Sequence, residues 1–213
     1  MPVINSYARD NVLQADRSLV VDLGAGNAPY RPLFKSNCRR YLACDLEPGD
    51  GVDLVFDGAT PIDLADASAD CVVSFQVLEH IWDVGAYLAE CRRLLSQSGR
   101  LLLSTHGTWL FHPHPQDFRR WTRDGLVKEL EENGFSVVSI AAAVGPLAWT
   151  TQFRTLAYAH VLEKFGLVGR VMSGILCTFM NLRMRIEDAI TPVHLRETNA
   201  AVYLIDARPT PQA

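Results

Sequence analysis

Four short apolar runs mark the first half of the chain: SLVVDL (18–23), RYLACDL (40–46), ADCVVSF (69–75) and GRLLLST (99–105). Each is rich in valine or leucine and stops near polar or glycine residues, which predicts strands buried on both faces. Between the third and fourth runs, DVGAYLAECRRLLSQSG sets Val84, Leu88, Cys91 and Leu95 on one stripe. That spacing predicts an amphipathic helix closed by Gly99. TRDGLVKELEENGF repeats the device, with Thr122 as N-cap, Leu126, Val127 and Leu130 facing inward, and Gly134 as the stop. Alternation of this kind predicts an α/β fold with an open, mostly parallel sheet covered by helices on both faces.

From Pro146 to about Leu195 the pattern changes, because LAWTTQFRTLAYAHVLEKFG and VGRVMSGILCTFMNLRMRIEDAI both have helical spacing. The second carries Val171, Ile175, Leu176, Phe179 and Leu182 in a wide apolar stripe. Such a length is too great for a simple connection, so residues 147–195 are expected to be a helical insert in a core formed by 1–146 and completed by 196–209. Its apolar run is broken by Arg170 and falls short of the ~20 residues that cross a bilayer. Three uses fit: a cap over an acceptor pocket, a homodimer surface, or peripheral membrane contact aided by Arg154, Lys164, Arg170, Arg183 and Arg185.

Composition narrows the function. The chain has 213 residues, 48% of them hydrophobic, which suits one domain with a substantial core. A net charge of -4 offers no basic field for nucleic acid. Five cysteines without a C-x-x-C pair suggest reduced thiols, and the polar N-terminal MPVINSYARDNVLQADR lacks the apolar centre of a secretion signal, so a cytoplasmic location is expected.

The first run leads into DLGAGNAPY, a glycine turn at the carboxyl end of a strand, where open α/β sheets bind ligands. A dinucleotide fingerprint needs a third glycine, but Pro29 follows Gly24 and Gly26 at that distance. Asp22 would repel a phosphate and attract an ammonium group. Asp45 closes the second run 23 positions later, where an acid can accept both hydroxyls of a ribose.

These residues resemble the class I S-adenosylmethionine-dependent methyltransferases. The D-x-G-x-G of Asp22, Gly24 and Gly26 is similar to their first motif, and CDLEPG with Asp45 to their ribose-binding acid. VFDGATPIDLADASADCVVSFQVLEHI (55–81) is similar to their third and fourth motifs, and AAVYLIDARP (200–209) to their last strand. The resemblance implies a Rossmann-like sheet of seven strands and S-adenosylmethionine as cofactor, released as S-adenosylhomocysteine. It implies that Asp22 holds the cofactor's ammonium directly or through water, with Gly24, Ala25 and Gly26 offering backbone. Asp45 would bind ribose, Leu46 would cover adenine, and Asp57 and Gly58 would read the adenine edge. Gln76 and His80 would lie at the methionine end. The Asn27-Ala28 continuation departs from the family's usual small or glycine-rich turn.

After the fourth run comes STHGTWLFHPHPQDFRRWT (104–122), which crowds His106, His112, His114 and Asp117 among prolines and aromatics. Methyl transfer to oxygen needs a base, which points to His114 or His112 with Asp117 as orienter. Two other readings of the loop are a packed lid whose histidines are solvated, and a divalent metal site at H-x-H-x-x-D. Arg119 and Arg120 would suit an anionic acceptor. The expected activity is methyl transfer to a small molecule, such as a hydroxyl of a sugar, glycan precursor or secondary metabolite; a saccharide or a lipid-linked acceptor fits. The alternatives are a nitrogen- or carbon-methylating relative and a non-catalytic cofactor-binding partner protein.

Overall fold

A computed structural model of the chain describes residues 19–34, 38–56, 60–113 and 115–211. Strand β1 (Leu19–Leu23) is followed by a single helical turn, α1 (Arg31–Phe34), and by β2 (Arg40–Asp45) and β3 (Leu54–Val55). Strand β4 (Ala69–Phe75) leads through a 3₁₀ turn (Leu78–His80) into helix α2 (Val84–Leu94) and β5 (Leu95–His106). Helix α3 (Arg123–Glu132), β6 (Phe135–Ala143), α4 (Pro146–Glu163), α5 (Gly166–Ile190), α6 (Val193–Thr198) and β7 (Val202–Pro209) complete the order.

The seven strands form one sheet in the order β3-β2-β1-β4-β5-β7-β6. The four expected runs all became strands, and β1 through β5 pair in parallel. The sheet is mixed, however, because β7 enters between β5 and β6 and runs antiparallel to both. Val21 and Leu23 of β1 face one apolar cluster with Leu88, Leu101 and Leu103, while Val20 faces a second with Tyr41 and Leu102. Alternate residues of one strand thus supply both faces, as unbroken apolar runs require.

Thr122 caps α3 by accepting from the Gly125 N–H at 3.1 Å, and Leu126 and Leu130 are buried as expected. The expected stop at Gly99 is corrected. Helix α2 ends at Leu94, and β5 begins at once with Leu95. Gly99 lies inside that strand, where a Cβ would stand 2.9 Å from the Ser96 carbonyl oxygen and 3.2 Å from that of Ala69. It is needed there for close packing, not for helix termination.

Helices α4 and α5 pack on each other as a hairpin between β6 and β7. Both ends of the hairpin are tied down. The Gly145 N–H donates to Asp188 Oδ1 at 2.6 Å, and Trp149 Nε1 donates to the Asn199 carbonyl at 3.1 Å. No described helix is long and apolar enough to cross a membrane.

Candidate functional site

The glycine turn is fixed by the ends of its two neighbouring strands. Gly24 has φ +73°, and a Cβ there would stand 2.5 Å from Val77 Cγ2, so only glycine fits without displacing Val77. The Gly24 and Ala25 N–H groups both donate to the Cys44 carbonyl, at 2.9 and 3.0 Å. At the end of β2, Asp45 Oδ2 accepts from the Gly26 N–H at 2.6 Å, and Oδ1 accepts from the Leu46 N–H at 2.7 Å. All three turn donors therefore already have protein acceptors. The turn spends these amides on β2, so the backbone it can offer a ligand is Cα and carbonyl. Above Gly26 a built Cβ meets no heavy atom within 4 Å.

Beyond the strand ends lies a cavity of ≈ 320 Å³, within the size range of small-molecule sites. Gly24, Gly26, Asp45 and Leu46 line it, and Gln76, His80 and His112 line it as well. Phe56, Val77, Ile81 and Tyr87 complete the apolar wall. Phe56, Val77 and Ile81 lie within the motif stretch 55–81, but nothing marked them or Tyr87 individually, since an apolar side chain reads the same whether it meets core or ligand.

Gln76 holds a left-handed backbone, φ +59°, rare for a residue with a side chain. Its N–H donates to the Ser104 carbonyl at 2.9 Å and its amide to Ser104 Oγ at 3.0 Å, which binds the turn after β4 to β5. His80 sits on the 3₁₀ turn, and its Nδ1 bonds the Gln116 carbonyl. A carbonyl only accepts, so Nδ1 carries the proton and, in the neutral ring, Nε2 is left as an acceptor. The rings of His80 and His112 are 5.8 Å apart.

Beside His80, Glu79 is fully buried. Its Oε1 lies 2.8 Å from His106 Nδ1, and its Oε2 accepts from Thr105 Oγ1 at 2.8 Å. Burial alone would raise this carboxyl, but the hydrogen bond and charge of His106, with the bond from Thr105, hold it below its ordinary value. His106 also stacks flat on Trp109, with ring centroids 5.1 Å apart. His106 is thus buried and absent from the cavity wall, with its Nδ1 2.8 Å from the Glu79 carboxylate.

Asp117 is placed by Arg120 and by His112. Its carboxylate grips the Arg120 guanidinium through both oxygens and accepts the His112 backbone N–H at 2.7 Å. It shapes the loop and reaches His112 through the backbone. The Arg120 bond is the main reason its carboxyl is pulled down to about 2. Arg120 also donates to the Trp109 and Leu110 carbonyls, and Arg119 donates to the Trp82 carbonyl, so neither guanidinium is held in reserve for an anion.

Asp22 lies in the core below the turn, 1% exposed, and outside the cavity wall. Burial pushes its carboxyl up to about 7, opposed by the hydrogen bond from the Tyr41 hydroxyl and assisted by the Asp45 charge. Ala25 is buried beside Tyr30 and Phe75. Asp57, Gly58 and His114 lie outside the described residues.

A family model described as a methyltransferase domain matches residues 21–103, which span β1 to the middle of β5 and hold the glycine turn, Asp45, Gln76 and His80. A "Probable S-adenosylmethionine-dependent methyltransferase" of Mycobacterium tuberculosis is 36% identical over 136 residues, 57% of this chain and 50% of that protein. One of Mycolicibacterium smegmatis with the same description is 31% identical over 133 residues, 55% of this chain and 52% of its own. The chain thus spans about half the length of the curated relatives it matches. Among solved structures, the [4+2]-cyclase SpnF superposes with TM-score 0.65 at 12% identity, covering 99% of this chain and 81% of that one. A Burkholderia thailandensis 1,6-didemethyltoxoflavin-N1-methyltransferase with bound S-adenosylhomocysteine gives 0.55 at 18% identity, covering 92% and 72%. At such identities the likeness shows the fold, whereas the matched domain and the curated relatives carry a nearer likeness: residues 21–103 match a methyltransferase domain, and the chain is similar to probable S-adenosylmethionine-dependent methyltransferases over a little more than half of its length.

Proposed function

We propose that the chain transfers a methyl group from S-adenosylmethionine to a hydroxyl of a small acceptor, such as a sugar, glycan precursor or secondary metabolite. One observation carries this reading: a single cavity holds the Asp45 carboxylate beside an open glycine turn and also two imidazoles, His80 and His112. The wall suits the cofactor. Each Asp45 oxygen keeps a second lone pair for a ribose hydroxyl, Leu46 is half-exposed for an adenine face, and the space above Gly26 is open. The bound cofactor supplies a methyl group activated by a positively charged sulfur.

The rest falls to side chains of this chain. An attacking hydroxyl must lose a proton, and an imidazole takes one near neutral pH. His112 is held by the Asp117–Arg120 clamp through its own backbone, so that carboxylate fixes where the ring is presented. His80 stands beside it with Nε2 as the accepting nitrogen, a candidate base where the sequence suggested only a cofactor contact. Most of the acceleration comes from holding acceptor and methyl group in line. Phe153 of α4 meets Trp109 edge-on at 5.9 Å, which joins the hairpin to this loop and supports reading 147–195 as a cap over the acceptor.

Labelled cofactor and a panel of hydroxyl acceptors test the proposal. With the right acceptor, His112→Ala and His80→Ala together should cut turnover by roughly 10²- to 10⁴-fold while cofactor affinity stays within a few fold. Full turnover in the double variant would move the acceptor atom to nitrogen or carbon. Stoichiometric cofactor binding without product across the panel would favour a non-catalytic partner protein.

A further inference from the structure

Helix α5 rests on α4 along one half-buried face that includes Ser173, Cys177, Met180 and Met184. Its other face is apolar and uncovered. Val168, Met172, Ile175, Phe179, Leu182 and Ile186 are each 52–68% exposed. These six follow one another in steps of four and three residues, an average of 3.6, so they form one continuous apolar seam along a single side of the helix. The seam runs about 27 Å along the helix at 1.5 Å per residue. A shallow groove lies at its middle, over Ile175, Phe179 and Leu182.

Size and charge indicate the occupant. With Val171 and Ile190 beside the seam, the eight side chains expose on the order of 900 Å² of apolar surface, against the roughly 800 Å² that each partner gives a stable interface. Monomers rarely leave a contiguous patch so large uncovered. A helix lying on lipid carries rows of Lys and Arg along its polar side. Here the side opposite the seam is packed on α4, and of the three arginines of α5, Arg183 is paired with Glu187 at 2.7 Å, while Arg185 at the groove and Arg170 stand fifteen residues apart and form no row. That leaves little positive charge to hold an anionic surface. A two-helix hairpin with one bare seam is half of a four-helix bundle, and a helix of matching length and stripe exists in any second copy of the chain.

We propose that α5 docks on α5 of a second copy of this chain, the two hairpins closing a four-helix bundle. Sedimentation of the full chain and of an Ile175→Asp/Leu182→Asp variant tests this. Both positions are exposed in the single chain, so the variant should keep its helix content and melting behaviour. The expected result is a dimer for the parent chain at micromolar concentration and a monomer for the variant, a shift of at least 100-fold in the dissociation constant. A parent chain that stays monomeric up to roughly 100 μM, a concentration that would expose even weak pairing, overturns the proposal. So does a variant that sediments like the parent. A monomeric parent that floats with phosphatidylglycerol vesicles overturns it in favour of a lipid surface.

Discussion

Replacing Asp22 by asparagine should change stability in a way that depends steeply on pH. Buried below the glycine turn, the carboxyl is raised from 3.8 to about 7. Between those values the folded protein keeps the proton and the unfolded chain has lost it. The penalty on the folded state is thus nearly absent below pH 4, grows as pH rises, and is complete above pH 7. At 1.36 kcal/mol per unit the full span is about 4 kcal/mol, of which about 3 kcal/mol accrues between pH 4.5 and pH 8. Asparagine cannot ionise, so it escapes this penalty. Its amide also brings donors that may lack partners in the core, a fixed cost of about 1–3 kcal/mol. That cost does not vary with pH. Urea unfolding of both proteins across the range should therefore show the variant gaining about 3 kcal/mol on the parent from pH 4.5 to 8, whatever the sign at either end. A difference flat to within about 1 kcal/mol would refute the buried, proton-holding Asp22 described above. The same residue can be questioned about the cofactor. If a bound ammonium group reaches it, binding at pH 6 should release a proton that Asp22→Asn does not release, measurable by calorimetry in buffers of different ionisation enthalpy.

Asp45→Ala should weaken S-adenosylmethionine and S-adenosylhomocysteine by about 1.5–3 kcal/mol, roughly tenfold to a hundredfold, because it removes charged acceptors; unchanged titrations of both would take Asp45 out of the site. Asp117→Asn should cost about 2 kcal/mol at pH 7, from a carboxyl lowered from 3.8 to about 2. Because the lowered value favours the ionised form, that stability is present above about pH 4 and lost as pH falls through about 2, so equal unfolding of parent and variant at pH 7 would dissolve the Arg120 clamp. Gly24→Ala should destabilise by several kcal/mol, since its Cβ meets Val77 at a left-handed position. Gly26→Ala, at φ +54° but in open space, should cost only about 1 kcal/mol, and melting curves of the pair would expose a reversed order.

The strands were legible because a buried parallel strand has no polar face to break its apolar run, and β4 falls on the stretch 69–75 that the run predicts. The end of α2 was not. Gly99 has the residue type of a helix stop, but the chain turns straight into β5 at Leu95, a choice made by pairing with Ala69 and not by local propensity. At the site, the glycine turn and Asp45 were readable from spacing, and both line the cavity. Which backbone atoms of that turn stay open was not readable, because only the fold brings the Cys44 carbonyl against its N–H groups. The loop histidines divided for a similar reason. His106 and His112 look alike in sequence, yet one ends a strand whose neighbour is the buried Glu79, and the other follows the strand into the cavity wall.

The reversed strand β7 has a consequence for how the chain acquires its shape. Among the described residues strand β6 has no sheet neighbour except β7, and their last pair, Ala143 with Val202, closes a loop of nearly sixty residues around the helical hairpin. During synthesis β1 to β5 can assemble as soon as they are made, leaving β5 as an open edge, but β6 has nothing to pair with until residues beyond Val202 leave the ribosome. Closing so distant a contact is slow, and an unpaired apolar edge invites aggregation in the interval. The two strands farthest from the Asp45 cavity therefore set the pace of folding, and a chain interrupted before Val202 loses two strands where its sequence lacks one.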